Sequence, residues 1–131
     1  MSFLEEIFIR DVQVSDHIII FKWENDPENW VVSERDKVYT FEEIQALIAS
    51  ASDFKESNQK RWMISKQDNQ VIGTIDVFQG GFKKGQVGIG ILIAEEENRE
   101  KGFAKQAVFQ AINKCIVDFS INTFYADVHV S

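Results

Sequence analysis

The sequence predicts an α+β domain, a mixed and mostly antiparallel sheet flanked by helices in the order β-α-α-β-β-β-α-β. Three observations lead there. The runs "KRWMISK", "VIGTIDVF" and "QVGIGILIA" read as strands and follow one another at hairpin spacing. A long apolar stripe at helical spacing comes next, from Phe103 to Phe119. The run "TFYADVHV" then reads as a last strand. The strand–helix–strand unit from Val87 to Val130 requires a right-handed crossover, so its two strands are parallel.

Each element has its own signal. "EIFIR", residues 6–10, is a short first strand. Ser15 can cap a helix that runs to about Asn25 and carries Ile18, Ile19, Phe21 and Trp23. Pro27 in "NDPENW" ends it, because proline disfavours helix in the residue before it. Residues 28–39 read as loop. Thr40 and Glu43 then form a capping box, with Phe41, Ile44, Leu47 and Ile48 at helical spacing behind it. Asp68-Asn69 turns the first hairpin and "GGFKKG" the second. The long helix buries Phe103, Ala104, Ala107, Val108, Ala111, Ile112, Cys115, Ile116 and Phe119 on one stripe.

Composition narrows the function. The 131 residues fit one domain spanning 1–131. The formal net charge is −7, and no Lys/Arg run exceeds two residues. Nucleic-acid binding, which needs a basic surface, is therefore not expected. An acidic surface instead attracts cations such as polyamines. The lone cysteine, Cys115, cannot form an internal disulfide and sits on the apolar stripe as core. No stretch reaches the length of a membrane span and the N-terminus is not a secretory signal, so the expected setting is cytoplasmic.

Chemistry concentrates where the third hairpin strand meets the long helix. Val87, Ile89, Ile91 and Ile93 share one face of that strand; Gln86, Gly88, Gly90 and Leu92 share the other. Two glycines on one face mark either a bulge or the close approach of a ligand. The loop "REKGFA" follows. A helix N-terminus presents free N–H groups and the positive end of the helix dipole. Gly102 allows a tight turn, Ala104 keeps the first helical turn slim, and Arg99, Lys101 and Lys105 add positive charge. Successive amides there can cradle a pyrophosphate. "GGFKKGQ" also starts like a Walker-type loop, but Gln86 and Val87 stand where Lys and Ser or Thr are needed, and a strand follows.

The stretch "IGILIAEEENREKGFAKQAV" resembles the acetyl-CoA-binding core of the GNAT family of N-acetyltransferases, whose signature is Q/R-x-x-G-x-G/A. Arg99, Gly102 and Ala104 match it. "SDHIIIFKWENDPENW" and "VIGTIDVF" are similar to the first helix and third strand of the branch that acetylates ribosomal proteins and spermidine. The resemblance implies a GNAT-like fold and acetyl-CoA as co-substrate, with no metal. The pantetheine would meet Leu92, Ile93 and Ala94, and the pyrophosphate would sit on Arg99, Glu100, Lys101, Gly102, Phe103, Ala104 and Lys105. The acceptor would be a small amine or polyamine. An N-terminal protein amine, or an inert CoA-binding module used in sensing or assembly, stays open as an alternative.

Two departures from the family matter. Relatives carry a Glu where this chain has Gly88. The family pattern also continues past a strand like "TFYADVHV" with a helix, often bearing a tyrosine that protonates the thiolate, and a further strand. The resemblance thus implies that 1–131 is C-terminally incomplete and that its last strand keeps an unpaired edge. Such edges recruit other chains, so a homo-oligomer is expected. Asp76 is the strand candidate for the general base that an attacking amine needs. Glu24, Asp26, Glu28 and His129 are alternatives, each read equally as solvated or structural. Trp30 and Tyr39 are candidates to line the acceptor loop or simply to pack.

Overall fold

The computed structural model describes residues 5–27, 38–50, 59–78, 86–99, 101–119 and 123–125. The elements are β1 (Ile7–Asp11), α1 (His17–Glu24), α2 (Phe41–Ser50), β2 (Gln59–Lys66), β3 (Val71–Phe78), β4 (Gln86–Ile93), α3 (Phe103–Phe119) and β5 (Thr123–Tyr125). They follow the order read from the sequence. The sheet runs β1-β2-β3-β4-β5. Its first four strands are antiparallel, and β5 joins β4 in parallel. Residues 126–131 and the "GGFKKG" turn lie outside the described residues, so only Thr123–Tyr125 of the expected last strand is seen.

Alternation along the strands divides the core into two layers. Ile7, Ile9, Trp62, Ile64, Ile75, Val77, Val87, Ile89, Ile91 and Ile93 meet Phe103, Ala107, Ala111 and Cys115 of α3. On the opposite face, Met63 and Ala94 pack with Ile20 and Trp23 of α1 and Ile44 and Ile48 of α2. The α3 stripe is narrower than the sequence suggests, since Ile116 is 49% exposed. At 100° per residue it stands about 160° from the centre of the line 103–107–111–115. Burial, chiefly, and the charge of Asp118 push the Cys115 thiol up to about 12. That keeps it a neutral core side chain rather than a nucleophile.

Polar residues fix the connections. Thr40 and Glu43 form the expected capping box: Glu43 N donates to Thr40 Oγ1 and Thr40 N to Glu43 Oε1, each at 3.1 Å. The side chain of Asn25 grips the Tyr39 backbone in both directions, at 2.7 and 2.8 Å, tying the end of α1 to the start of α2. The β2–β3 turn uses Asn69 at φ 69°, with Asn69 N donating to Lys66 O at 2.9 Å. Asparagine tolerates that left-handed geometry, so Asp68-Asn69 turns the hairpin as read. A bulge follows, since Ile64 pairs with Gly73 and Ser65 with Val71, which leaves Ile72 as the extra residue.

Asp16, not Ser15, organises the entry to α1. A short 3-10 turn, Val14–Asp16, precedes the helix. Asp16 accepts bonds from Arg10 Nη1 and Nη2 at 2.7 and 2.9 Å and from Gln13 N at 2.7 Å. Burial by itself would raise the Asp16 pKa; the hydrogen bonds from Arg10 and Gln13 and the Arg10 and His17 charges outweigh it and hold the carboxyl below its ordinary value. A carboxyl lowered on folding stabilises above its unfolded pKa of about 3.9 and loses that contribution as pH falls through the lower folded value. Asp16→Asn should therefore cost about 1.5–3 kcal/mol at pH 7 and less at pH 3. Urea midpoints at both pH values check this; equal losses would remove the ionic account.

The outer edge of β1 is closed by a helix rather than a strand. Gln106 and Gln110, one turn apart on α3, act as forks on its backbone. Ile7 N donates to Gln106 Oε1 at 3.0 Å and Ile9 N to Gln110 Oε1 at 2.9 Å. In return Gln106 Nε2 donates to Glu5 O at 2.9 Å and Gln110 Nε2 to Ile7 O at 2.8 Å. Two amide side chains thus supply the donors and acceptors of a missing strand, and they lock α3 to the sheet near its N-terminal turn.

Candidate functional site

The site is assembled where β4 ends and α3 begins. Leu92 lies half-buried at the strand end, Ile93 is in the core, and Ala94 N donates to Ile72 O at 2.9 Å, carrying the ladder one residue past β4. A 3-10 turn, Glu96–Asn98, leads into the loop. Among the described residues the β4–β5 ladder covers only Gln86–Gly88.

Arg99 turns back to this strand end. Its Nε donates to Ile93 O at 2.9 Å and its Nη2 approaches Ala94 O at 3.5 Å. The side chain therefore braces the loop against β4. Gly102 has φ +79°, the left-handed region, and among the described residues a Cβ built there meets nothing within 4 Å. The loop thus demands glycine for its backbone and leaves open space where a side chain would project. Gln106 N donates to Gly102 O at 3.2 Å, so the intrahelical ladder starts from Gly102. The N–H groups before Gln106 are the ordinary unfilled donors of a helix start. Lys101 and Lys105 are exposed beside them and Ala104 is half-buried. Phe103 is buried in the core, so only its backbone can face a ligand. Glu100 lies outside the described residues. A backbone concavity at the head of a 17-residue helix, flanked by two lysines, fits a pyrophosphate.

The second half of the site lies on the α1/α2 face of the sheet. Arg61, Asp76 and Gly90 stand side by side across β2, β3 and β4. Asp76 accepts from Arg61 Nε at 2.7 Å through Oδ1 and from Nη2 at 2.9 Å through Oδ2. The Arg61 Nη1 donates to Glu24 Oε1 of α1 at 3.2 Å. The Arg61 and Glu24 side chains are buried, whereas that of Asp76 is 32% exposed. Burial by itself would lower the Arg61 pKa, but the charge of Asp76 and the hydrogen bonds to it hold it above its ordinary value.

Of the other sequence candidates, Glu24 belongs to this trio, Asp26 is half-buried after α1, and Tyr39 packs on the α1/α2 layer. Glu28, Trp30 and His129 lie outside the described residues. Arg61 is invisible in the sequence, where "KRWMISK" reads as a strand with a polar start. Among the described residues no group of three or more His, Cys, Asp or Glu side chains could hold a metal ion, and no helix is long and apolar enough to cross a membrane.

Comparison with known proteins agrees with this geometry. Residues 6–131 match the family model for the acetyltransferase (GNAT) domain. No curated protein matches by sequence. Among solved structures, the chain is similar to spermidine N-acetyltransferase from Vibrio cholerae in complex with CoA and spermine, with TM-score 0.77 and 16% identity over 92% of this chain and 69% of that one. It is similar to aminoglycoside acetyltransferase AAC(6')-Ib in complex with coenzyme A, with TM-score 0.74 and 14% identity over 92% and 73% of the two chains. A domain from Methanocaldococcus jannaschii aligns with TM-score 0.67 and 19% identity over 93% and 77%. At these identities the likeness establishes the fold.

Proposed function

The chain belongs to the acetyltransferase (GNAT) domain family, acyl-CoA-dependent N-acetyltransferases, and from that premise we propose that it moves acetyl from acetyl-CoA to a primary amine, a polyamine or another small cationic amine. The observation that carries this reading is the cradle at residues 99–105. There a left-handed glycine opens space at the head of α3, beside two exposed lysines. Bound acetyl-CoA supplies an activated thioester carbon. The backbone N–H groups from Gly102 to Lys105 hold the pyrophosphate. The strand end Leu92–Ala94 aligns the pantetheine, and Arg99 keeps that strand end in place. Localisation in a reducing cytoplasm fits the single neutral thiol.

Asp76 faces the acceptor amine across the gap at Gly90. An ammonium has no lone pair, so it must lose a proton before its nitrogen can attack the thioester; the C–S bond then breaks with CoA leaving as the thiolate. Two carboxylate lone pairs are taken by Arg61, and the others receive the amine N–H directly or through a water. The acidic surface, with net charge −7, favours cationic acceptors over neutral ones. The solved neighbours with spermine and aminoglycoside names support amines of this class.

Asp76→Asn should lower turnover about 100-fold with acetyl-CoA affinity unchanged. The deficit should be largest at low pH, where more of the amine is charged. Released CoA is measured against spermidine, spermine, an aminoglycoside and a peptide N-terminus from pH 6 to 9. A variant with the parent rate at every pH would move the role to Glu24 or Asp26. A peptide preferred over every small amine would favour the protein N-terminal reading.

A further inference from the structure

We infer that Arg61 is a positioning residue for amine recognition: held by Glu24, its guanidinium fixes the Asp76 carboxylate opposite Gly90 so that one oriented acceptor edge meets the incoming amine. This rests on the reading that Asp76 receives the amine. Three observations carry it.

The Arg61–Asp76 contact is bidentate, at 2.7 and 2.9 Å. A planar fork on a planar carboxylate fixes the rotation of that carboxylate as well as its place, which a point charge does not. The fork is fixed in its turn. Arg61 is buried on β2 and anchored through Nη1 by Glu24 from α1, so the guanidinium cannot swing away with Asp76. The open side of Asp76 is the third observation. Its cross-strand partner is Gly90, and among the described residues a Cβ built at Gly90 meets only Phe78 Cε1, at 3.9 Å. Directly opposed residues of an antiparallel pair hold their Cβ atoms about 5 Å apart on the same face. Any larger residue at 90 would stand over the exposed edge of Asp76. Burial of Arg61, exposure of Asp76 and a missing side chain at 90 together leave, among the described residues, an approach to Asp76 over position 90.

The test is a double-mutant cycle between Arg61→Lys and Asp76→Asn, read as amine KM, kcat and acetyl-CoA Kd with spermidine as probe. Lysine keeps the charge and loses the fork. Arg61→Lys alone should raise the spermidine KM about tenfold, the size of one charge-assisted hydrogen bond. Its acetyl-CoA Kd should stay close to that of the parent, while its melting temperature should fall, because a buried bidentate contact is lost. In the Asp76→Asn background the same substitution should change KM less than twofold, because its effect passes through Asp76. A further variant, Gly90→Leu, should raise KM as well while keeping acetyl-CoA binding. If Arg61→Lys keeps the parent KM, or its effect persists undiminished in the double variant, positioning is overturned while the acetyltransferase reading stands. If the parent binds acetyl-CoA yet turns over no amine, that reading fails, and this inference with it.

Discussion

Gly73→Ala should remove about 3 kcal/mol or more of stability, a fall of roughly 10 °C in melting temperature. A Cβ at position 73 would land on the carbonyl oxygen of Leu92, inside van der Waals contact, with Ile93 Cα only 3.2 Å away. Both obstacles are backbone, so no rotamer change relieves them. β4 is also held in place by its own packing, since Ile91 and Ile93 are buried in the layer with Phe103 and Ala107. The Ala94 N–H bond to Ile72 O ties the same segment to β3. Any shift that makes room must move Leu92–Ala94, so the folded fraction of the variant should also bind acetyl-CoA more weakly. Thermal unfolding by circular dichroism checks the first effect and calorimetry the second. A variant melting within about 1 °C of the parent, well inside the shift expected for such a clash, would mean that the two strands can part without cost.

Gly102→Val should keep the fold and weaken acetyl-CoA binding by about 100-fold, the equivalent of about 2.7 kcal/mol. Two costs combine. A β-branched residue at φ +79° is strained by about 1–2 kcal/mol, so the loop leaves the left-handed region. Its side chain also fills space that no atom of the described residues occupies within 4 Å of the Cβ position. Because that space is empty, the penalty falls on the ligand and not on the core. Gly102→Ala should sit between parent and valine variant. Calorimetric titration with acetyl-CoA separates these outcomes, and a folded valine variant with the parent affinity would remove the cradle from residues 99–105.

The two glycines differ in what the sequence could say of them. Gly102 is legible because it follows a strand and opens an amphipathic stripe, a local pattern. Gly73 reads as one more small residue in "VIGTIDVF"; its need comes from the approach of another strand, which depends on register and on the bulge at Ile72. The same division runs through the rest. Element order, the Thr40–Glu43 box, the Asp68-Asn69 turn and most of the α3 stripe rest on spacings within a dozen residues, and the structure has them. Ile116 joins the stripe only by its apolar character, since its angle on the helix sets it nearly opposite. Ser15 has the chemistry of a cap, but Asp16 wins because Arg10, on the preceding strand, supplies two charged donors. Arg61 and its partners come from β2, β3 and α1, so no short window contains them.

The glutamine forks on β1 set an order of events in folding. Ile7 and Gln106 are separated by 99 positions, and Ile7 and Gln110 by 103. During synthesis the first strand emerges long before the helix that closes it, and it must wait with its outer amides bonded to water until Gln110 is free to dock. Contacts at such separation form late, because most of the chain must be ordered before they are made. On the proposed assignment the same helix would carry the pyrophosphate cradle at its first turn, so that cradle and the seal on β1 would arrive together. If the cradle is the cofactor site, a nascent chain would gain the seal on β1 and its capacity for the cofactor in one step.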